Sequence, residues 1–115
     1  MSTNDRELLE MAAKAVGLDY HIDHCDGCPK IIANGDVWNP FVFDAQALRL
    51  AVKLGLDIMR TERDVEAIAT LPPHAKITWG TVGAPFAIEL LGDKPEAATR
   101  RAIVRAAAEI GMAMP

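Results

Sequence analysis

The spacing of hydrophobic and polar residues predicts three helices in this chain. Apolar side chains recur every three or four positions over residues 5–16, 45–54 and 95–111, which is the spacing that buries one face of a helix. Gly17 and Gly55 directly follow the first two stretches, at the position where glycine commonly ends a helix. The pattern therefore sets both the number of helices and where two of them stop.

Polar residues before two of these stretches predict how the helices begin. Asp44 precedes the second stretch, where its carboxylate would accept hydrogen bonds from the first free backbone N–H groups. Asp93 followed by Glu96 three residues later is a capping-box pattern in front of the third stretch. We therefore expect Asp44 and Asp93 to act as N-caps.

Short apolar segments between the helices, some of them alternating with polar residues, predict short strands. Strand-like segments cover residues 18–24, 30–33, 56–60, 76–79 and 86–90. The turn pair Asp26-Gly27 lies between the first two segments, which favours a hairpin, and the last two are expected to form a second hairpin. Residues 61–70 fit either a short helix or a long loop.

Helices separated by hairpins predict an α+β fold. The expected architecture is an α/β/α sandwich, in which a mainly antiparallel sheet is covered by helices. A length of 115 residues suits one domain with a single hydrophobic core. The many alanines and few aromatic residues favour closely packed helices in that core.

Overall charge and the N-terminal residues restrict the class of protein. The net charge of −4 argues against nonspecific nucleic-acid binding, because such affinity comes mainly from cations that neutralise phosphates. The chain starts without a basic and apolar leader pattern and contains no apolar run of membrane-spanning length. We therefore expect a cytoplasmic protein without membrane contact.

Two segments contain the most distinctive combinations of residues. Residues 38–44 read Trp-Asn-Pro-Phe-Val-Phe-Asp and run into the second helix, and residues 95–111 form the third helix with its alanines and arginines. Together they resemble the phage ABA sandwich domain family, which consists of small proteins encoded by phages and prophages. The resemblance implies a sandwich fold and an origin in a phage or prophage, and therefore action inside a bacterial host cell. It implies no particular chemistry.

One short segment has the residue types of a metal site. Cys25 and Cys28 have the spacing that lets two thiolates hold one zinc ion, and His21 and His24 lie just before them. A strand would place the two histidines on opposite faces, and a second pair of ligands is missing downstream. A polar hairpin with incidental thiols is thus the alternative, and a redox-active pair of cysteines is a third. No cofactor is expected otherwise.

Two groups of residues are candidates for an interaction surface. Trp38, Asn39 and Phe41 precede the second helix, where the indole could either contact a partner or pack over the core. Arg100, Arg101 and Arg105 form a basic cluster on the third helix. This cluster could bind an acidic partner or a phosphate, or it could be a solvated helix face with local salt bridges.

No catalytic constellation is visible in the sequence, so the leading functional hypothesis is non-enzymatic. The protein is expected to bind a host or phage macromolecule, with counter-defence as one role. A small zinc-binding or nucleotide-handling protein centred on residues 21–28 is the first alternative. A self-associating structural module is the second, with a homodimer formed through a sheet edge or through the face of Ala102, Ala106 and Ala107.

Overall fold

Three helices and two antiparallel sheets make up the described part of the chain. The structure is a computed structural model that describes residues 3–24, 27, 29–69 and 86–114. The elements are α1 (Thr3–Ala15), β1 (His21–Asp23), β2 (Lys30–Ala33), β3 (Asp36–Val37), α2 (Asp44–Leu54), β4 (Leu56–Arg60), β5 (Asp64–Ala69), β6 (Phe86–Leu90) and α3 (Pro95–Ala113). None of the helices in these ranges is long and apolar enough to cross a lipid bilayer.

Each sheet has three strands in sequence order. β1, β2 and β3 form the first sheet, and β4, β5 and β6 form the second, with every neighbouring pair antiparallel. The predicted hairpin of β1 and β2 is confirmed, with His21 opposite Ile32. The α+β class and the antiparallel pairing are confirmed as well. The predicted strand over residues 76–79 lies outside the described residues.

The C-terminal helix α3 lies at the centre of the fold. It packs against α1, α2, β5 and β6. Half of the buried residues of α3 are alanines, and these alanines have no exposed surface. Such small side chains let neighbouring backbones come close, so α3 is held by close contacts of its alanines together with the buried Ile103, Val104 and Ile110.

A very close contact between two backbones joins α3 to α1. A Cβ atom at Gly111 would lie only 2.0 Å from the carbonyl oxygen of Met11. Gly111 is buried within α3, and its backbone conformation is helical. The glycine is therefore required by the close approach of the two helices and not by the backbone dihedrals.

The same alanines exclude one predicted route to a homodimer. Ala102, Ala106 and Ala107 were expected to permit close approach of a second copy, but all three have no exposed surface. The close approach that they permit is used within the chain, where α3 meets its neighbours. The prediction of a dimer through this helix face is therefore wrong.

Both predicted N-caps are also wrong. Phe43 and not Asp44 is the N-cap of α2, and Lys94 and not Asp93 is the N-cap of α3, in both cases without a side-chain cap bond. The Asp44 carboxylate instead accepts a hydrogen bond from Arg100. At α3, Pro95 in the first turn has no N–H to be capped.

The segment after β4 is the third difference from the sequence-based expectation. Residues 61–70 were expected to form a short helix or a long loop, whereas residues 64–69 form β5, the central strand of the second sheet. Val65 and Ala67 are both buried, and burial at every second residue is typical of a strand. Pairing with strands on both sides stabilises the extended conformation, and the local spacing of apolar residues does not report that pairing.

We predict that Gly111→Ala destabilises the protein. Alanine in place of a helical glycine would by itself stabilise the helix by roughly 0.5–1 kcal/mol. The clash with the carbonyl of Met11 should outweigh this gain and lower the free energy of unfolding by about 1–3 kcal/mol. Urea denaturation followed by circular dichroism measures the difference. Glu109→Ala, at an exposed position of the same helix, is the control, and a stabilised Gly111→Ala variant would contradict the close contact.

Candidate interaction surface

The structure brings together two groups that are far apart in the sequence. Phe41 lies against the start of α3, and its carbonyl oxygen accepts a hydrogen bond from Nε of Arg100 at 2.7 Å. The guanidinium carbon of Arg101 lies 5.3 Å from the centre of the Phe41 ring, which is within the range of a cation–π contact. Part of the predicted aromatic loop and part of the predicted basic cluster thus form one surface.

Acidic side chains pair with all three arginines of this cluster. Arg100 contacts Asp44 at 2.7 Å, Arg101 contacts Asp5 at 3.2 Å, and Arg101 and Arg105 both contact the carboxylate of Glu89, at 3.1 and 3.0 Å. The three arginine charges are therefore balanced within the chain. Their role as an interaction surface stays a prediction, but they do not present a field of unpaired positive charge to a partner.

Glu89 is the acidic centre of this network. It lies on β6, and the partner atoms Arg101 Nε and Arg105 Nη1 come from two successive turns of α3. Arg105 also donates a hydrogen bond to the carbonyl oxygen of Ile88 at 3.1 Å. Charge-assisted bonds of this kind are stronger than neutral ones, so they tie the strand to the helix at one register.

The loop before α2 is held by hydrogen bonds to the first turn of that helix and by one bond within itself. The Gln46 side chain accepts a hydrogen bond from the Asn39 backbone N–H and donates one to the carbonyl of Val37 at 2.9 Å. The Asn39 side chain accepts from the backbone N–H of Phe41. Trp38 is half-buried and packs against the core. The loop is therefore built around contacts within the chain.

A cleft of about 490 Å³ opens beside this loop. Trp38 and Leu50 form part of its wall, Arg49 and Lys53 project from α2, and Asp36 comes from β3. Cations and carboxylates both line the cleft, so its charges largely cancel. Its shape does not favour one ligand chemistry over another.

The four candidate zinc ligands are only partly described. His21 is exposed on β1 and His24 is exposed just after it. Cys25 and Cys28 lie outside the described residues. Among the residues that the structure does describe, no three histidine, cysteine or carboxylate side chains form a group suited to a metal ion. Zinc binding at His21, His24, Cys25 and Cys28 therefore stays a prediction.

The second sheet has one face towards α3 and one face away from it. Residues opposite each other in antiparallel strands project from the same side of a sheet. Ala67 pairs with Ala87, and Val65 pairs with Glu89, which places these four on the inner face beside α3. The other set of positions forms the outer sheet face, which consists of Asp57, Met59, Asp64, Glu66, Ile68, Phe86, Ile88 and Leu90.

The polarity of β6 is reversed relative to an ordinary half-buried strand. Its three large apolar residues Phe86, Ile88 and Leu90 are 54%, 46% and 73% exposed. Ala87 and the carboxylate of Glu89 project inward instead. Hydrophobic patterning alone would turn the large residues to the core. A strand that breaks this rule while its inward charge is compensated is a candidate for function.

The sequence patterns do not single out the outer sheet face as a candidate surface. The alternation over residues 86–90 predicts the strand but does not reveal which side is covered. The signal that could have located the surface is Glu89, since a carboxylate on the covered side requires a basic partner from another element. That partner is supplied by Arg101 and Arg105 of α3, which lie beyond the reach of local patterns.

Comparison with known proteins adds no functional assignment. The chain matches no protein-family model, and it has no significant match among curated protein sequences or solved structures.

A second carboxylate contact gives a spectroscopic prediction. Tyr20 is the single tyrosine of the chain, and its hydroxyl donates a hydrogen bond to Glu10 at 3.1 Å. Partial burial and this bond to a carboxylate, which favours the protonated phenol, raise the pKa of Tyr20 above its ordinary value of 10.0. The stability contributed by this shift is present below the ordinary pKa and is lost as pH rises through the higher folded pKa.

We predict that the phenol absorbance of Tyr20 titrates above 10.0 in the folded protein. Glu10→Gln should move the pKa back towards its ordinary value, because it removes the negative charge and the charged acceptor. Glu62→Gln, at an exposed position between β4 and β5, is the control and should leave the titration unchanged. An identical pKa in wild-type protein and the Glu10→Gln variant would contradict the contact.

We predict that Glu89→Gln lowers the free energy of unfolding by about 1–3 kcal/mol, since it removes the charge that two arginines share. Guanidine would screen the ion pairs, so urea denaturation is the appropriate measurement. Glu109→Gln, an exposed change on α3, should shift the midpoint very little. Equal midpoints for the two variants would show that the network around Glu89 contributes nothing to stability.

Proposed function

We propose that this protein acts non-enzymatically, by binding another protein through its outer sheet face. The observation that carries the proposal is the reversed polarity of β6, which leaves Phe86, Ile88 and Leu90 exposed side by side on one surface. Apolar clusters of this kind on soluble proteins commonly mark interaction sites. The partner is proposed to be a protein of the host cell or of a phage.

Neighbouring strands extend the apolar surface. Ile68 on β5 pairs with Phe86 on β6. Met59 on β4 is 55% exposed and pairs with Glu66 on β5, which in turn pairs with Ile88 on β6. Ile68 and the three residues of β6 form the apolar band of this face, and Glu66 lies between this band and Met59. Flat apolar surfaces with a large aromatic residue provide the buried centre that protein interfaces require.

The arginine cluster is the weaker of the candidate surfaces. Arg100, Arg101 and Arg105 already bind carboxylates of this chain, so a partner would have to break those pairs before using them. Truncating a paired side chain would also alter the fold. The outer sheet face can be used without breaking any described ion pair.

The biological setting proposed for this binding is a bacterial cell that carries a phage or prophage. It is supported by the resemblance of residues 38–54 and 95–111 to the phage ABA sandwich domain family, and by the α+β architecture that this resemblance implies. In that setting the protein would act in the host cytoplasm, and blocking a host defence protein is one use of such a surface.

The test compares capture of a partner by wild-type protein and by two matched variants. Tagged protein is incubated with bacterial lysate, and bound proteins are quantified by mass spectrometry. Phe86→Thr with Ile88→Thr removes apolar surface while keeping residues that suit a strand. Leu48→Gln with Val52→Thr removes apolar side chains from α2 that are exposed to a similar or greater extent.

We expect the sheet variant to lose the captured partner by more than tenfold, because apolar contacts at an interface centre carry much of the binding energy. The α2 variant should retain it. Circular dichroism and a urea midpoint establish that both variants are folded. Equal capture by wild-type protein and a folded sheet variant would contradict the proposed function.

A further inference from the structure

The charges on the outer sheet face indicate which kind of partner it can bind. The register places Asp57, Asp64 and Glu66 on the same face as the apolar band. The single basic residue within β4, β5 and β6 is Arg60, which pairs with Val65 and therefore belongs to the inner set of positions. The outer sheet face thus combines apolar and acidic side chains and contains no basic one.

The carboxylates are confined to one part of this face, whereas its apolar residues are concentrated in another. Three of the large apolar residues lie along β6, and all the carboxylates lie on β4 and β5, where Met59 and Ile68 are also found. Asp64 accepts a hydrogen bond from the hydroxyl of Thr61 at 2.9 Å, which leaves its negative charge in place. No described cation forms an ion pair with Asp57, Asp64 or Glu66. A partner must therefore be apolar along one side and basic along the other.

From this arrangement we infer that the outer sheet face binds a cationic amphipathic helix of its protein partner, an inference that rests on the proposed function. Three strands spaced about 4.8 Å apart form a surface about 10 Å wide, which matches the width of one helix. The apolar stripe of the helix would lie along β6. Lysine or arginine residues one turn apart would then face Asp57 and Glu66.

Charge disfavours the other occupants. A second copy placed face to face would bury carboxylates against carboxylates without a compensating cation, which is costly. An anionic lipid surface or a nucleic acid would be repelled by the same residues and by the net charge of −4. Only a positively charged partner turns these carboxylates into favourable contacts.

The test uses two model peptides of about 18 residues, long enough for several helical turns. Both have the same leucine stripe, and their polar positions are lysine in one and glutamate in the other. Binding of each fluorescein-labelled peptide to the full chain is measured by fluorescence anisotropy at low and high salt. We expect the lysine peptide to bind and the glutamate peptide to show at least tenfold weaker affinity.

Two variants with the same net charge separate this face from general attraction. Asp57→Asn with Glu66→Gln removes two charges from the outer sheet face and should weaken the lysine peptide about tenfold, mainly at low salt. Asp93→Asn with Glu109→Gln removes two exposed charges elsewhere and should leave affinity within about twofold. Equal weakening by both pairs, or equal affinity for both peptides, would overturn the inference.

The outcomes also distinguish this inference from the proposed function. Suppose that Phe86→Thr with Ile88→Thr abolishes capture of the lysate partner, whereas Asp57→Asn with Glu66→Gln does not. Binding through the outer sheet face would then be supported, and the inference of a cationic helix would be wrong. If the folded Phe86/Ile88 variant keeps the partner, the proposed function itself fails. A dimer seen by light scattering that disappears in that variant would overturn the inference in favour of a second copy.

Discussion

The close approach of α3 to its neighbours is the constraint on which the rest of the structure depends. Small residues line both sides of these contacts, with alanines on α3, Ala67 and Ala87 on the sheet, and Gly111 against the Met11 carbonyl. Backbones this close leave little room for further large side chains beside the buried Val65, Val104 and Ile110. Phe86 and Ile88 lie on the opposite side of the sheet, although hydrophobicity alone would favour the covered side.

The ion pairs around Glu89 stabilise the same orientation of β6 that the packing of small residues favours. A carboxylate on the covered side of a sheet is costly unless it is paired, and Arg101 and Arg105 supply that pairing from α3. A shift of β6 by one residue would bury the large apolar side chains but would break both ion pairs. The strand is thus held in the register that exposes its apolar side, and the surface available to a partner follows from a partly exposed charge interaction at the edge of the core.

Much of the fold could be predicted from local patterns, while the candidate surface could not. The helices follow from apolar spacing, and Gly55 ends α2 in the left-handed conformation that favours glycine. β5 was missed because the spacing of Val65 and Ile68 also fits a helix. The N-cap role of Asp44 failed because Arg100, which is far away in the sequence, binds its carboxylate. In both of these cases a distant partner outweighed a local preference, whereas the N-cap role of Asp93 failed beside the local Pro95.

The sequence by itself determined the identity of most elements and the α+β class, because periods of two and of three to four residues are properties of neighbouring positions. It also determined that the core would be rich in alanine. Only the tertiary structure decided which side of the second sheet α3 covers, and hence that Ala87 and Glu89 are inside while Phe86, Ile88 and Leu90 are outside. The reason is physical: burial and charge pairing depend on contacts between residues that are far apart along the chain.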